Sequence, residues 1–189
     1  MKNTIVFGAL SLALVACGGG DDTQTTSTTT PDTTTPAAST PVMAPMAGTV
    51  LANFPADADM LTGREWVTVS RADKGVSLSG TSATASAGAE TGGASIEVSE
   101  DVAAAVSGKP VTITVRAAGD AGSTMRVAYS TNRVGNSGWQ EFELSEDMQD
   151  YSFTYPVPAD DQTATDYIGI LPGAYGDVVV AGISYEIGE

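Results

Sequence analysis

From residue 48 onward apolar and polar residues alternate in short runs, and Gly, Asp, Asn or Pro separates one run from the next. A period of two marks strands with one buried face, whereas a helix repeats its apolar positions every three or four residues. The pattern predicts strands over Thr49–Phe54, Glu65–Ser70, Gly75–Gly80, Ala94–Ser99, Pro110–Ala118, Met125–Thr131, Gly138–Leu144, Tyr151–Val157, Thr165–Leu171 and Asp177–Ile187. Pro110–Ala118 is the cleanest: Val111, Ile113, Val115 and Ala117 face in, while Thr112, Thr114 and Arg116 face out. Tyr151, Phe153, Tyr155 and Val157 form a second stripe, which Tyr129 joins through cross-strand contact. Only Glu100–Val106 reads as a helical turn, with Ser99 placed to cap it and Glu100 and Asp101 near its positive end. Residues 81–93, rich in Ser, Thr, Ala and Gly, read as a loop. About ten strands at this spacing predict an all-β fold, a two-sheet antiparallel jelly-roll sandwich over 48–189.

The N-terminal quarter breaks the pattern. Lys2 precedes an apolar run from Ile5 to Ala16, too short to span a bilayer as a permanent helix. The run ends in Leu14-Val15-Ala16-Cys17, which resembles the lipobox of bacterial lipoprotein signal sequences. That resemblance implies a signal peptide over 1–16, cleavage before Cys17, and acyl chains on the Cys17 sulfur and on the freed amine. The small Ala16 suits the cut, and Cys17 carries the only thiol in the chain. Two or three acyl chains anchor a protein stably in a lipid bilayer, where one binds only marginally. Gly18 rather than Asp follows Cys17, which in this resemblance points to the outer membrane of the cell envelope. Residues 17–47 then read as a tether: Gly, Thr and Pro dominate, with no aromatic residue to offset the entropy of ordering.

Charge narrows the function. The net charge is -15, with no His and one Cys. A chain this acidic does not release phosphate counterions, so nucleic acid is excluded as a partner. Without His there is no Ser-His-Asp triad and no His-containing zinc site, and one Cys makes no internal disulfide.

Residues 137–158 (SGWQEFELSEDMQDYSFTYPVP), 166–173 (DYIGILPG) and 178–187 (VVVAGISYEI) are similar to galactose-binding-domain-like jelly rolls, among them the CenC-type carbohydrate-binding modules. Residues 107–117 (SGKPVTITVRA) fit the strand that follows the short helical turn in that family. The resemblance implies a glycan-binding sandwich and a structural calcium. The family often carries a calcium-binding Asp in the final strand, in an Ile-Asp-x-Val pattern. Here the stretch reads Val180-Ala181-Gly182-Ile183, without that Asp.

Sugar sites pair an aromatic face with polar groups for the hydroxyls. On a regular strand Trp139, Glu141 and Glu143 share one side, opposite Phe142 and Leu144; a bulge at Gly138 would turn the indole inward instead. Trp66, opposite Val67 and Val69, and Tyr175, in the loop 172–177, complete the ligand-binding candidates. Asp57 with Asp59, Asp160 with Asp161, and Asp166 sit where a loop would gather oxygens for calcium, although none has the spacing of a recognised calcium loop. The expected function is a non-catalytic module that binds polysaccharide. The alternatives are an accessory lipoprotein that binds an envelope protein, and a glycan-cleaving enzyme using Glu141 and Glu143, about 7 Å apart on one strand.

Overall fold

The computed structural model describes residues 43–64, 66–160 and 164–189. The Cys17 motif and the chain through residue 42, together with Glu65 and Asp161, lie outside the described residues. Met43–Glu189 is one compact unit. Its strands are β1 (Thr49–Asn53), β2 (Leu61–Gly63), β3 (Thr68–Ala72), β4 (Gly75–Ser79), β5 (Ala94–Val98) and β6 (Pro110–Gly119). They continue as β7 (Thr124–Ser130), β8 (Gln140–Glu143), β9 (Gln149–Pro156), β10 (Asp166–Pro172) and β11 (Val178–Ile187). One helix, α1 (Glu100–Val106), follows β5, and a short 3-10 turn spans Ala58–Met60.

The strands form two antiparallel sheets packed as a jelly-roll sandwich. One runs β3-β4-β11-β6-β9, with β1 also paired to β11; the other runs β2-β5-β10-β7-β8. The core between them holds Val111, Ile113, Val115 and Ala117 of β6, each fully buried as the alternation predicts. Ile96, Met125, Val127, Ile168 and Ile170 meet them from the facing sheet. Burying each such side chain contributes about 1.5–3 kcal/mol. Tyr129 reaches Tyr155 with ring centroids 6.0 Å apart, but the two belong to different sheets. The contact therefore crosses the sandwich rather than linking neighbouring strands.

Local chemistry shifts several expected boundaries. β3 begins only at Thr68, because the Val67 N–H closes a turn onto the Arg64 carbonyl at 3.0 Å and holds Trp66 off the ladder. β2 carries one buried apolar residue, Leu61, and so gives no alternation to detect. Ser99 does occupy the N-cap of α1, yet its side chain makes no capping bond; only its carbonyl is used, by the Ala103 N–H at 2.9 Å.

The outer side of the six-stranded sheet is a polar ladder. Thr112 meets Thr154 and Thr114 meets Ser152, each hydroxyl pair 2.8 Å apart. Arg116 grips both Asp150 oxygens at 2.6 and 2.8 Å, and the same guanidinium donates to the Ala44 carbonyl at 2.7 Å. Met46 lies against Gly182 of β11. The entering chain is thus fastened to this sheet before β1 begins.

Candidate functional site

Alternation in the five-stranded sheet sends Ile96, Val127, Tyr129, Ile168 and Ile170 into the core. It turns Ser95, Glu97, Arg126, Ala128, Tyr167 and Gly169 to the other side. Register sets Thr62, Ser95, Gly169 and Ala128 in one row across β2, β5, β10 and β7. At β8 the row ends on Trp139, the residue before Gln140, which pairs with Val127. Small side chains leave a trough between the flanking rows, filled here by the chain that follows β4, so that Ser95, Gly169 and Ala128 are buried. Glu97, Tyr167 and Ser130 flank it on one side, and Leu171, Arg126 and Glu141 on the other.

Trp139 is half-buried. Its indole N–H donates to the Ala85 carbonyl at 2.9 Å, and the Arg126 guanidinium carbon stands 5.9 Å from its ring centroid. A cation over an indole face is attracted by the ring quadrupole, by about 0.5–1 kcal/mol where exposed. Burial pushes the Tyr167 hydroxyl above its ordinary value, helped by Glu90 and Glu97 and opposed by Arg64. The phenol therefore stays protonated and able to donate.

The connection between β4 and β5, residues 80–93, lies along the trough. Thr91 sits over Gly169, where any Cβ would overlap its side chain. Ala128 and Leu171 are fully buried although register turns them outward. Ala89 and Thr91 hold φ of 52° and 56°, a left-handed conformation that costs a non-glycine residue about 1–3 kcal/mol. Glu90 pairs with Arg64, whose side chain lines a cleft of about 260 Å³ shared with Thr62, Glu97 and Tyr167.

Of the residues singled out in the sequence, Trp139, Glu141 and Glu143 do share one side of the chain, and that side is the outer one. The left-handed Gly138, φ 67°, does not reverse it. Trp66 is 74% exposed in the turn between β2 and β3. Since β2 and β8 are opposite edges of the sheet, about 19 Å separates the two edges. Tyr175 is 79% exposed in the β10–β11 turn, next to Gly176, which packs near Asp120 and Ser123. The structure therefore groups Trp139 with the two glutamates and leaves Trp66 and Tyr175 apart from them. Arg126 joins the group unannounced, and Tyr167 and Arg64 lie further along the row toward the β2 edge. Only the pairing of Arg126 with Glu141 in register could have found one of them.

The candidate calcium ligands have other partners. Asp57 accepts the Asn53 N–H at 2.8 Å, and Asp59 pairs with Arg71 at 3.1 Å. Asp160 pairs with Arg133 at 2.8 Å. Asp166 opens β10, inside the expected strand Thr165–Leu171 rather than in a loop, and is only 4% exposed, accepting the Tyr129 hydroxyl at 2.6 Å. Burial raises the Asp166 carboxyl above its ordinary value, the Asp160 charge adds to this, and the Tyr129 bond opposes it. Burial likewise pushes the Tyr129 hydroxyl up, and Asp166 pushes it further. Asp160 and Asp166 line a cleft of about 250 Å³ with Ser107 and Thr131. Calcium takes six to eight oxygens. Among the described residues, which leave out Asp161, no three or more His, Cys, Asp or Glu gather to hold a metal.

No family model matches the sequence, and no curated protein does. Among solved structures, a xylan-binding module, CBM15, is 14% identical with a TM-score of 0.44, covering 68% of this chain and 87% of its own. A CBM4 structure is 18% identical with a TM-score of 0.43, covering 65% of this chain and 78% of its own. Xylanase10C (mutant E385A) from Cellvibrio japonicus, in complex with xylopentaose, is 15% identical with a TM-score of 0.42; the match covers 68% of this chain but 26% of that one.

Proposed function

We propose that this chain is an outer-membrane lipoprotein, anchored through Cys17, whose β-sandwich binds a neutral glycan along the trough that ends on Trp139. The observation that carries the reading is the row Thr62, Ser95, Gly169 and Ala128 leading to an indole. A sugar ring has an apolar C–H face for the indole and a rim of hydroxyls for Arg126, Glu141 and Tyr167. Small floor residues let the ring approach the sheet once residues 80–93 stand aside. A net charge of -15 repels polyanions, which favours an uncharged polysaccharide. Binding without cleavage fits the placement of Glu141 and Glu143, both exposed on an edge strand rather than enclosed in a cleft.

Affinity electrophoresis of the full chain through a panel of soluble neutral polysaccharides, xylan included, is expected to show retardation by at least one. Free migration through all of them would overturn the glycan reading. A single dominant protein adduct on crosslinking in intact cells would then replace it with an accessory role. The anchor rests on Leu14-Val15-Ala16-Cys17 after the apolar run. Mass spectrometry of the mature protein is expected to find Cys17 first and carrying acyl chains; an unmodified Cys17 would sink that part.

A further inference from the structure

We infer that residues 80–93 form a displaceable strap that holds the trough shut and leaves it when glycan enters; the ligand named here rests on the glycan reading above. The strap is fastened to the sheet side chiefly by donors of the sheet side that meet its oxygens, the Arg64 N–H on the Gly93 carbonyl at 2.9 Å among them; the Thr91 hydroxyl runs the other way, donating to Ser95 Oγ at 3.1 Å. The Trp139 indole N–H meets the Ala85 carbonyl at 2.9 Å, and Arg126 Nη2 meets the Ser82 carbonyl at 3.4 Å. The Ser95 hydroxyl donates to the Glu90 carbonyl at 2.6 Å, and Arg64 holds the Glu90 carboxylate.

Sugar hydroxyl oxygens accept from the same kinds of donor. Strap and glycan therefore compete for one set of groups, and a swap leaves none of these donors stranded. Arg64 Nε is a further reason for exchange: it is buried with no hydrogen-bond partner while the strap is down.

The strap is built to come away as a body. Its own turn is closed by the Gly92 N–H on the Ser86 carbonyl at 2.7 Å and the Thr91 N–H on the Gly88 carbonyl at 3.1 Å. It carries no large apolar side chain, and within it Ala85 packs against the core. Its own few apolar side chains keep the opening free energy low, although lifting it also uncovers Ala128 and Leu171. Beneath it Gly169, Ser95 and Ala128 come free as the floor. A closed strap lowers apparent affinity by the fraction of molecules that are open: about 100-fold if roughly one in a hundred is open.

Two experiments decide this. The first uses the full chain without ligand and reads hydrogen exchange. The Arg64 amide, bonded to the Gly93 carbonyl, and the Trp139 indole N–H, bonded to the Ala85 carbonyl, are expected to exchange at least about 100-fold faster than the Ile168 and Ile170 amides of β10. Equal protection would overturn the strap whether or not any glycan binds. The second introduces Thr91→Cys and Ser95→Cys with Cys17→Ser, since the two hydroxyl oxygens are 3.1 Å apart. Oxidised, this variant is expected to bind xylan at least about 10-fold more weakly than after reduction. Equal binding in both states would overturn the strap. Failure of the reduced variant and of the unaltered chain to bind any polysaccharide would remove the glycan reading alone, and hydrogen exchange would still judge the strap. Glu90→Gln, which weakens the tie to Arg64, is expected to raise affinity by about 3- to 10-fold, and a fall would count against displacement.

Discussion

Trp139→Ala is expected to weaken glycan binding about 30- to 1000-fold, the range of a buried aromatic hot spot worth about 2–4 kcal/mol. The indole is the one large apolar surface at the end of the trough, and alanine leaves nothing for a sugar ring to stack on. The substitution also removes the donor to Ala85, which loosens the strap, so the loss would appear in spite of an easier opening. Tyr175→Ala, in a turn outside the trough, is expected to leave affinity within about twofold. Affinity electrophoresis on the same polysaccharide measures both, with thermal unfolding as the check on folding. Equal losses would move the site to the β10–β11 turn. A loss with Trp66→Ala as well would mean a ligand that spans the full width of the sheet, about 19 Å.

Tyr129→Phe is expected to cost about 2–4 kcal/mol at neutral pH, which removes the one hydroxyl bonded to the buried Asp166 carboxylate. For a chain of this size that is a fall of roughly 5–12 °C in Tm. The cost should depend on pH in a definite direction. Asp166 holds its proton more tightly folded than unfolded, so its contribution is most favourable below the ordinary carboxylate range. Stability then declines as pH rises from that range to the raised value. Tyr129 is the influence that opposes the rise; without it the decline extends further and the deficit grows between pH 4 and pH 7. Urea unfolding of both proteins at the two pH values measures this. An equal deficit at both would mean that the hydroxyl supports something other than the carboxylate.

Strand chemistry was legible where one face is buried and the other wet. The parity of Val111 through Ala117 and the shared side of Trp139, Glu141 and Glu143 follow from alternation alone. What alternation does not carry is anything that depends on which strands face one another. Tyr129 and Tyr155 were expected on neighbouring strands, and they meet across the sandwich. Asp166 lies within the strand that alternation predicts over Thr165–Leu171, but alternation does not put Tyr129 beside it, and that hydroxyl is what makes its burial tolerable. The trough was invisible for the same reason: Thr62, Ser95, Gly169 and Ala128 come from four segments and align only through register. Residues 81–93 read as an unremarkable small-residue loop, and nothing in their composition says what they lie on.

The clamp between Arg116 and Ala44 has a mechanical consequence. It sits on the six-stranded sheet, while the trough is on the far side of the other sheet, the two sheets about 10 Å apart. A pull arriving through the chain ahead of Met43 loads that guanidinium and then the β1–β11 ladder. A polymer held in the trough would pull on β7, β10 and β5 instead. If the proposed anchor and glycan site both hold, drag on a bound polymer is borne between two faces of a packed core.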